Sequence, residues 1–398
     1  MKKYSFETYH SRKDTGSIKW NMMYKKKPDV AEDVVPMTVA DMDFLCCKKI
    51  REGLSDFVEN EIFGYSVPTR SYYEAVINFY KREYDLGLEK DWFVTSPGIV
   101  TALFTAVRAL TEKDDGIIVL TPIYPPFYRA IENQGRRVEA CPLINKNNHY
   151  EIDFDLFEDL AKKATSKMFM LCSPHNPGGR VWTRKELEKI DRICEENNLI
   201  VVSDEIHCDI VMKDNVHTPY FKVSDHARST SVMATSASKS FNIAGLKNSN
   251  IFIADEKMRE DFSKEMENVG LHGTNALGLK ATELAYDNSD QWLNKMKEVI
   301  GRNQKLVEDF FDKHEDYFIL MPAESTFLAW VDYRKTGMDE DEFMAFLEEE
   351  AEFFVNPGSM FGEDARGFIR INLGLPTFKL EENLNRLEKA IEKLEGQI

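Results

Sequence analysis

Five short apolar segments of the sequence are each followed directly by polar or aromatic residues that could take part in chemistry. The five stretches that follow them are Ser96-Pro-Gly-Ile-Val100, Thr121-Pro-Ile-Tyr-Pro-Pro-Phe127, Ser173-Pro-His-Asn-Pro-Gly-Gly179, Asp204-Glu-Ile-His207 and Ser236-Ala-Ser-Lys-Ser-Phe-Asn242. Together they supply a lysine, a carboxylate, an amide, hydroxyls, an aromatic face and a glycine turn before a helix. Such a helix start suits an anion, because its first backbone N–H groups have no partner within the helix.

We asked which single ligand would use all of these groups. A lysine suits a Schiff base with an aldehyde, and hydroxyls beside a helix start suit a phosphate. A carboxylate suits a protonated ring nitrogen, with a charge-assisted hydrogen bond of about 1.5–3 kcal/mol, and an aromatic side chain suits stacking on the ring. Pyridoxal 5′-phosphate has all these features. The residues therefore predict it as the cofactor.

Motifs for other cofactors are missing from the sequence. It contains no G-x-G-x-x-G after a strand, no G-x-x-x-x-G-K-[ST], no H-E-x-x-H and no G-x-S-x-G. The 6 cysteines are scattered without C-x-x-C spacing. We therefore expect no metal site, and buried free thiols in a reducing cytoplasm.

A common scaffold must bring the five stretches to one place. Between Asp91 and Ile253, apolar runs the length of a strand alternate with segments of helical periodicity, and Thr183-Arg-Lys-Glu186 is a capping box that predicts a helix start. Because the strands are continuous apolar runs, we expect an α/β fold with a mainly parallel sheet between layers of helices. Ligands of such sheets bind beyond the carboxyl ends of the strands, where the five stretches lie.

Composition and charge restrict the partners. The chain has 398 residues, and 51 basic against 68 acidic residues give a net charge of −17. This charge argues against a nucleic-acid partner and against attraction to anionic membranes. The start of the sequence has no apolar run for a signal peptide, and no apolar stretch is long enough to span a bilayer. We expect a cytoplasmic protein.

The pattern of the sequence changes after about Tyr286, and this change predicts the domains. We expect an N-terminal segment, 1–47, that contributes to a small domain, and a large cofactor-binding domain over 48–287. An interdomain helix and the rest of the small domain would follow over 288–398. In the last helix, Leu380, Leu384 and Leu387 alternate at spacings of three and four, which favours packing on a small sheet.

Several longer motifs show a resemblance to a known family. They are Val39-Ala-Asp-Met-Asp-Phe44, Phe63-Gly-Tyr65, Tyr124-Pro-Pro-Phe127, Cys172-Ser-Pro-His-Asn-Pro177, Gly179-Arg-Val-Trp-Thr183, Ser203-Asp-Glu-Ile-His207 and Ser238-Lys-Ser-Phe-Asn-Ile-Ala-Gly245. In these motifs the chain resembles the class I/II aminotransferase superfamily of fold-type I pyridoxal-phosphate enzymes. Within it, the chain is most similar to the bacterial cystathionine β-lyase, or carbon–sulfur lyase, subgroup. The resemblance implies a large αβα domain with a small α/β domain.

The resemblance also implies roles for the site residues. Lys239 would form the Schiff base and remove the substrate Cα proton, and Asp204 would pair with the ring nitrogen. Asn176 would hydrogen-bond the phenolic O3′, and Tyr124 would stack on the ring. Arg370, in Gly367-Phe-Ile-Arg-Ile-Asn372, would pair with the substrate α-carboxylate through its planar fork.

The remaining roles concern the phosphate and the neighbouring subunit. The phosphate would be held by two hydroxyls and three backbone groups, those of Ser236, Ser238, Gly98, Ile99 and Val100. Tyr65 would reach the phosphate of the neighbouring subunit, which implies a homodimer with shared active sites.

Two positions depart from the superfamily pattern, and the contacts to the leaving group stay open. Lys247 stands where most members carry an arginine and can offer the phosphate a charge without a fork, and His207 replaces a common tyrosine. His207 either hydrogen-bonds O3′ or only packs. Asp43, Tyr65 and Glu324-Ser-Thr-Phe327 are candidates for contact with the substrate side chain.

Three functions are compatible with these residues. Lys239 would take the Cα proton of an amino-acid substrate in two of them: β-elimination, which yields pyruvate, ammonia and a thiol, and transamination, which yields a keto acid. Only the subgroup resemblance favours elimination, with L-cystathionine or related S-substituted cysteines as substrates. A regulatory protein that binds a partner on the same scaffold is the third. A retired enzyme would not need Lys239, Asp204, Asn176 and Arg370 together.

Overall fold

The computed structural model describes residues 6–395, apart from 213 and 288. The predicted domain boundary at 288, and the ends 1–5 and 396–398 of the predicted terminal segments, lie outside the described residues. The predicted division into domains stays a prediction.

Strands and helices alternate through the middle of the chain. The strands are β1 (Phe93–Ser96), β2 (Gly116–Thr121), β3 (Arg137–Pro142), β4 (Ile144–Lys146), β5 (His149–Glu151), β6 (Ser166–Cys172), β7 (Ile200–Asp204), β8 (Ser231–Thr235), β9 (Ser249–Phe252), β10 (Ile319–Leu320), β11 (Leu328–Asp332), β12 (Asn356–Pro357) and β13 (Phe368–Asn372). The helices are α1 (Ile18–Lys26), α2 (Lys48–Asn60), α3 (Arg70–Tyr84), α4 (Ile99–Leu110), α5 (Pro126–Glu132), α6 (Phe154–Ala161), α7 (Arg184–Glu196), α8 (Asp225–Ser229), α9 (Ala237–Ser240), α10 (Glu256–Asn268), α11 (Ala276–Tyr286), α12 (Asp290–Lys313), α13 (Glu340–Ala345) and α14 (Thr377–Glu395).

Within the described residues, the central sheet has seven strands in the order β1-β9-β8-β7-β6-β2-β3. Strands β3, β2, β6, β7 and β8 pair in parallel, and β9 runs antiparallel to both of its neighbours. The mainly parallel sheet predicted from the apolar runs is therefore confirmed.

Helices cover both faces of this sheet. Along β2, Ile117 and Val119 pack in a core with α4 and α10, whereas Ile118 packs on the opposite face with α6 and α7. The predicted capping box also forms, since Thr183 and Glu186 bond each other's backbone at the start of α7. Burial on both faces explains why consecutive residues in the middle of these strands, such as Ile117, Ile118 and Val119, are all apolar.

A second, antiparallel sheet has the strand order β10-β11-β13-β12. Its core includes Leu380, Leu384 and Leu387 of α14, so the predicted packing of the last helix on a small sheet is confirmed. Val35 and Met37, from the N-terminal part of the chain, are buried in the same core. The segment that follows them therefore starts beside the small sheet, from which Arg370 projects.

Candidate active site

A cavity of about 320 Å³ lies at the carboxyl ends of the parallel strands. The ends are level, because Cys172 pairs with Asp204, and Asp204 with Ala234, in the register of β6, β7 and β8. Ten of the residues predicted from the sequence line this cavity. They are Gly98, Ile99, Val100, Tyr124, Asn176, Asp204, His207, Ser238, Lys239 and Lys247.

Lys239 extends into the cavity from α9, the short helix after β8. The Ser236 hydroxyl accepts a hydrogen bond from the Ser238 N–H at the start of this helix, which fixes the turn that carries the lysine. Lys239 Nζ donates to the carbonyl of Ala40 at 2.6 Å. Burial lowers the pKa of this amine to about 8, although the Asp41 carboxylate opposes the shift. An amine with this pKa can act as a nucleophile and as a base near neutral pH.

Asp204, at the end of β7, is a buried carboxyl group with few groups nearby that would stabilise its negative charge. Its Oδ1 accepts a hydrogen bond from the Ile206 N–H at 3.1 Å. Burial raises the pKa of Asp204 to about 7, while this hydrogen bond and the Lys239 charge oppose the rise. A cationic N–H donor in the cavity would favour the ionised form. The position therefore suits a protonated ring nitrogen.

Arg370 reaches the site from β13 of the small sheet. Its two terminal nitrogens donate to Asn176 Oδ1 and Asn356 Oδ1, both at 3.0 Å, and its guanidinium lies 4.7 Å from the ring centre of Phe361. Burial lowers the pKa of Arg370 to about 10, which leaves the side chain charged at neutral pH. Because Asn176 accepts through its oxygen, its amide nitrogen is left to donate to a ligand in the cavity.

The start of α4 forms another part of the cavity wall. Gly98 adopts a φ of 109°, a backbone conformation that favours glycine, and an added Cβ there would meet open space. Its own N–H donates to the Ser96 carbonyl at 2.7 Å. The first-turn N–H groups of Ile99 and Val100 are the ones that have no partner within the helix. They suit a phosphate.

Of the side chains predicted to bind the phosphate, two line the cavity and the third is bonded to the backbone. Ser238 and Lys247 line the cavity. The Ser236 hydroxyl is buried, and it donates to the Asn248 carbonyl at 2.7 Å in addition to capping α9. In this structure it therefore shapes the wall on which Ser238 and Lys239 stand.

Two aromatic rings of the cavity are uncharged. Burial lowers the pKa of His207 well below its usual range, and the nearby Lys239 and Arg370 charges act in the same direction. Burial also raises the pKa of the Tyr124 phenol. Both side chains can therefore offer neutral hydrogen-bonding groups or a stacking face to a ligand.

Two further predicted residues lie away from this cavity wall. Tyr65 is fully exposed in the segment between α2 and α3. Asp43 is 3% exposed and binds the Lys19 amine at 2.8 Å. Their predicted contacts with a partner subunit and with the substrate stay predictions.

Some lining residues were not anticipated. They are Ala40, Pro97, Thr101, Cys172, Ile206, Ala244, Asn248 and Ser249. Ala40 contributes a backbone carbonyl, and such an acceptor cannot be recognised from the identity of the side chain. Its only signal was its place in Val39-Ala-Asp-Met-Asp-Phe44, one of the motifs that carried the resemblance.

The unsatisfied groups of this site match pyridoxal 5′-phosphate. Asp204 is a buried carboxyl that lacks a cationic N–H partner within hydrogen-bonding distance in the described chain, and the ring nitrogen would supply one. In the described structure His207 Nδ1 and Arg370 Nε are buried and without a hydrogen-bond partner. Open space beside Gly98, before the free amides of α4, suits the phosphate.

Comparison with known proteins agrees with this fit. The pattern of the family aminotransferase class I and II matches residues 32–387. The cystathionine β-lyase PatB of Bacillus subtilis is 34% identical, and the match covers 97% of this chain and 100% of PatB.

Two solved structures are similar over almost the whole chain. Cystalysin from Treponema denticola, which contains a pyridoxal 5′-phosphate cofactor, has a TM-score of 0.96 and 39% identity, with 98% of this chain and 99% of that chain covered. The PLP-bound C–S lyase from Staphylococcus hominis has a TM-score of 0.89 and 31% identity, with 98% of each chain covered.

Proposed function

Because the chain belongs to the aminotransferase class I and II family, we propose that it is a pyridoxal-phosphate-dependent carbon–sulfur β-lyase. Its substrates are L-cystathionine or related S-substituted cysteines, which it cleaves by α,β-elimination to pyruvate, ammonia and a thiol. Full-length similarity to PatB carries the choice of reaction. The cavity lined by Lys239 and Asp204, with Arg370 bonded to its lining residue Asn176, supports the chemistry.

Pyridoxal 5′-phosphate is the cofactor, and when bound it supplies an electron sink for the negative charge that develops at the substrate Cα. Lys239 would hold the aldehyde end of the cofactor, and its amine would accept the Cα proton of the substrate. Asp204 would pair with the protonated ring nitrogen, Asn176 would donate to the phenolic oxygen, and Tyr124 would offer its ring for stacking.

The remaining polar groups hold the two anionic ends. The backbone N–H groups of Ile99 and Val100, with Ser238 and Lys247, would bind the phosphate. Arg370 would pair with the α-carboxylate of the amino acid, and its partners Asn176 and Asn356 keep the guanidinium in place. Separate groups of the site would thus hold the two anionic ends.

The proposed enzyme is a homodimer in the cytoplasm. Ile62, Phe63, Tyr65 and Val67 are all more than half exposed, and an apolar segment of this kind suits contact with a second copy of the chain. Tyr65 would then reach the partner's phosphate site. Light scattering on the purified protein tests the dimer, and a monomer would contradict it. The cysteines of the described chain are free thiols, which supports a reducing compartment.

Product analysis tests the reaction. The purified protein, loaded with pyridoxal 5′-phosphate, is incubated with L-cystathionine, cysteine and S-alkyl cysteines, and pyruvate is measured together with the released thiol, or with sulfide where cysteine is the substrate. Equal amounts of both products are expected. Amino transfer that depends on a keto acid, without pyruvate from cystathionine, would instead establish an aminotransferase, the second candidate that the family match favours.

A further inference from the structure

Residues 38–44, which we call the strap, cross the site between the two sheets. Six backbone carbonyls of the strap accept hydrogen bonds from side chains of the site and its immediate neighbours. The pairs are Thr38 with Arg370 Nη2 at 3.4 Å, Val39 and Asp41 with Asn372 Nδ2 at 2.5 and 2.7 Å, Ala40 with Lys239 Nζ at 2.6 Å, and Met42 and Phe44 with Asn242 Nδ2 at 2.9 and 2.7 Å. These four side chains, together with the bond from the Asp43 N–H to the Gly374 carbonyl at 2.7 Å, hold the path of the strap.

The two asparagines come from the same stretches of chain as the reactive groups. Asn242 follows Lys239 by three residues, and its Oδ1 also accepts from the Met42 N–H at 3.0 Å. Asn372 follows Arg370 by two residues on β13, and its Oδ1 accepts from the Gly374 N–H at 2.8 Å. The amine and the guanidinium are thus each linked to the strap directly and through a neighbouring amide.

Side chains of the strap are held from its outer side. Asp43 binds the buried Lys19 amine at 2.8 Å, and Asp41 binds Arg12 at 2.8 Å. The strap is therefore fixed on both sides, and the Ala40 carbonyl in its middle is fixed with it.

We propose that Asn242 and Asn372 are positioning residues that hold the strap so that the Ala40 carbonyl orients the Lys239 amine opposite Arg370. This inference rests on the proposed function for the reactive role of Lys239. According to the proposal, the Lys239 amine donates one hydrogen bond to the Ala40 carbonyl whenever the amine is not bonded to the cofactor. The direction of the nitrogen lone pair, and hence its access to a substrate proton, then depends on the two amides.

The test measures the pH at which the Lys239 amine becomes reactive. Three charged groups act on Lys239: Asp41 on the strap, Asp204 on β7 and Arg370 on β13. A carbonyl acceptor and the Asp41 charge both favour the ammonium form, so displacement of the strap should lower the pH at which the amine becomes reactive. This pH is measured on the cofactor-free, full-length chain by labelling with acetic anhydride at a series of pH values, with mass spectrometry of the Lys239 peptide.

Asn372→Leu removes both hydrogen bonds to the strap without a new charge, and should lower this midpoint by roughly 1 pH unit. Asn242→Gly should do the same, because glycine tolerates the left-handed φ of 55° found at this position. In the loaded enzyme, both variants should lower kcat by about tenfold or more. If Asn372→Leu does not fold, Asn372→Ser keeps one donor and should give a smaller shift of the same sign.

Asn303→Leu is the matched control. Like Asn372, Asn303 is buried and donates to two carbonyls, those of Leu373 and Leu375 at 2.9 and 2.8 Å, but neither acceptor lies on the strap. Its variant should lose thermal stability and keep the wild-type midpoint. Wild-type midpoints in the Asn242 and Asn372 variants, or an equal shift in the control, would overturn the proposal. Labelling requires neither cofactor nor turnover, so failure of the lyase assay is a separate result.

Discussion

The edge of the central sheet and the strap meet at the Lys239 amine. The sheet edge contributes side chains to the site, whereas the strap contributes backbone carbonyls. At the sheet edge, side chains carry the chemistry: Asp204 ends β7, and Lys239 lies in α9, the short helix after β8. On the strap, Asp43 pairs with Lys19 and the apolar side chains pack in the core, whereas the backbone carbonyls accept hydrogen bonds from the site. Reactive groups can therefore be recognised by residue type, whereas the acceptors that orient them depend on the path of the chain.

The largest effect tests the sheet edge. Lys239→Ala should lower kcat by at least about 1000-fold, because it removes the cofactor bond and the base together. The visible absorption of the bound cofactor should be lost as well. Lys257→Ala, an exposed lysine on α10, is the control and should keep both. A variant of Lys239 with normal absorption would contradict its assignment.

An intermediate effect is expected where the two regions are joined. Arg370→Lys keeps a positive charge but loses the fork that reaches Asn176 and Asn356, so kcat/KM should fall by about 10- to 100-fold, chiefly through KM. Arg334→Lys, next to the same small sheet, should leave both constants unchanged, since Arg334 binds Asp332 outside the cavity. Steady-state kinetics with L-cystathionine distinguish the two. An unchanged KM in Arg370→Lys would show that Arg370 does not bind the substrate carboxylate.

The smallest effect concerns stability. Burial raises the pKa of Asp204 from 3.8 to about 7, so its contribution to folding is fully present below the unfolded pKa and is lost as the pH rises through about 7. Asp204→Asn cannot ionise. In the cofactor-free chain its Tm should therefore exceed the wild-type value by roughly 2–5 °C above about pH 7, and the difference should shrink toward about pH 4. A difference independent of pH would show that ionisation of Asp204 is not its cause.

Much of the fold followed from local patterns. The apolar strands and the Thr183 capping box predicted the parallel sheet and the start of α7, because burial on both faces and helix capping are properties of short segments. Asp204, Asn176 and Lys239 were likewise found as polar residues after strands. Their common edge then followed from the parallel direction of the strands.

Long-range partners could not be predicted. Asp43 was a candidate for substrate contact, but its carboxylate pairs with Lys19, which no pattern around either residue indicates. Ser236 was a candidate for the phosphate, and its hydroxyl bonds the Ser238 N–H and the Asn248 carbonyl. Such choices depend on which groups the folded chain brings within about 3 Å.

The bond between Asn372 and Val39 joins residues 333 positions apart. During synthesis the strap leaves the ribosome long before Asn372, which holds it, is made. Domains that fold as the chain emerges can complete the central sheet first, but the strap must wait for β13. A nascent or truncated chain that stops before residue 370 would thus contain Lys239 in a folded sheet without an ordered acceptor or a carboxylate-binding arginine. Its reactive amine would become useful only after β13 has been made and has joined the small sheet.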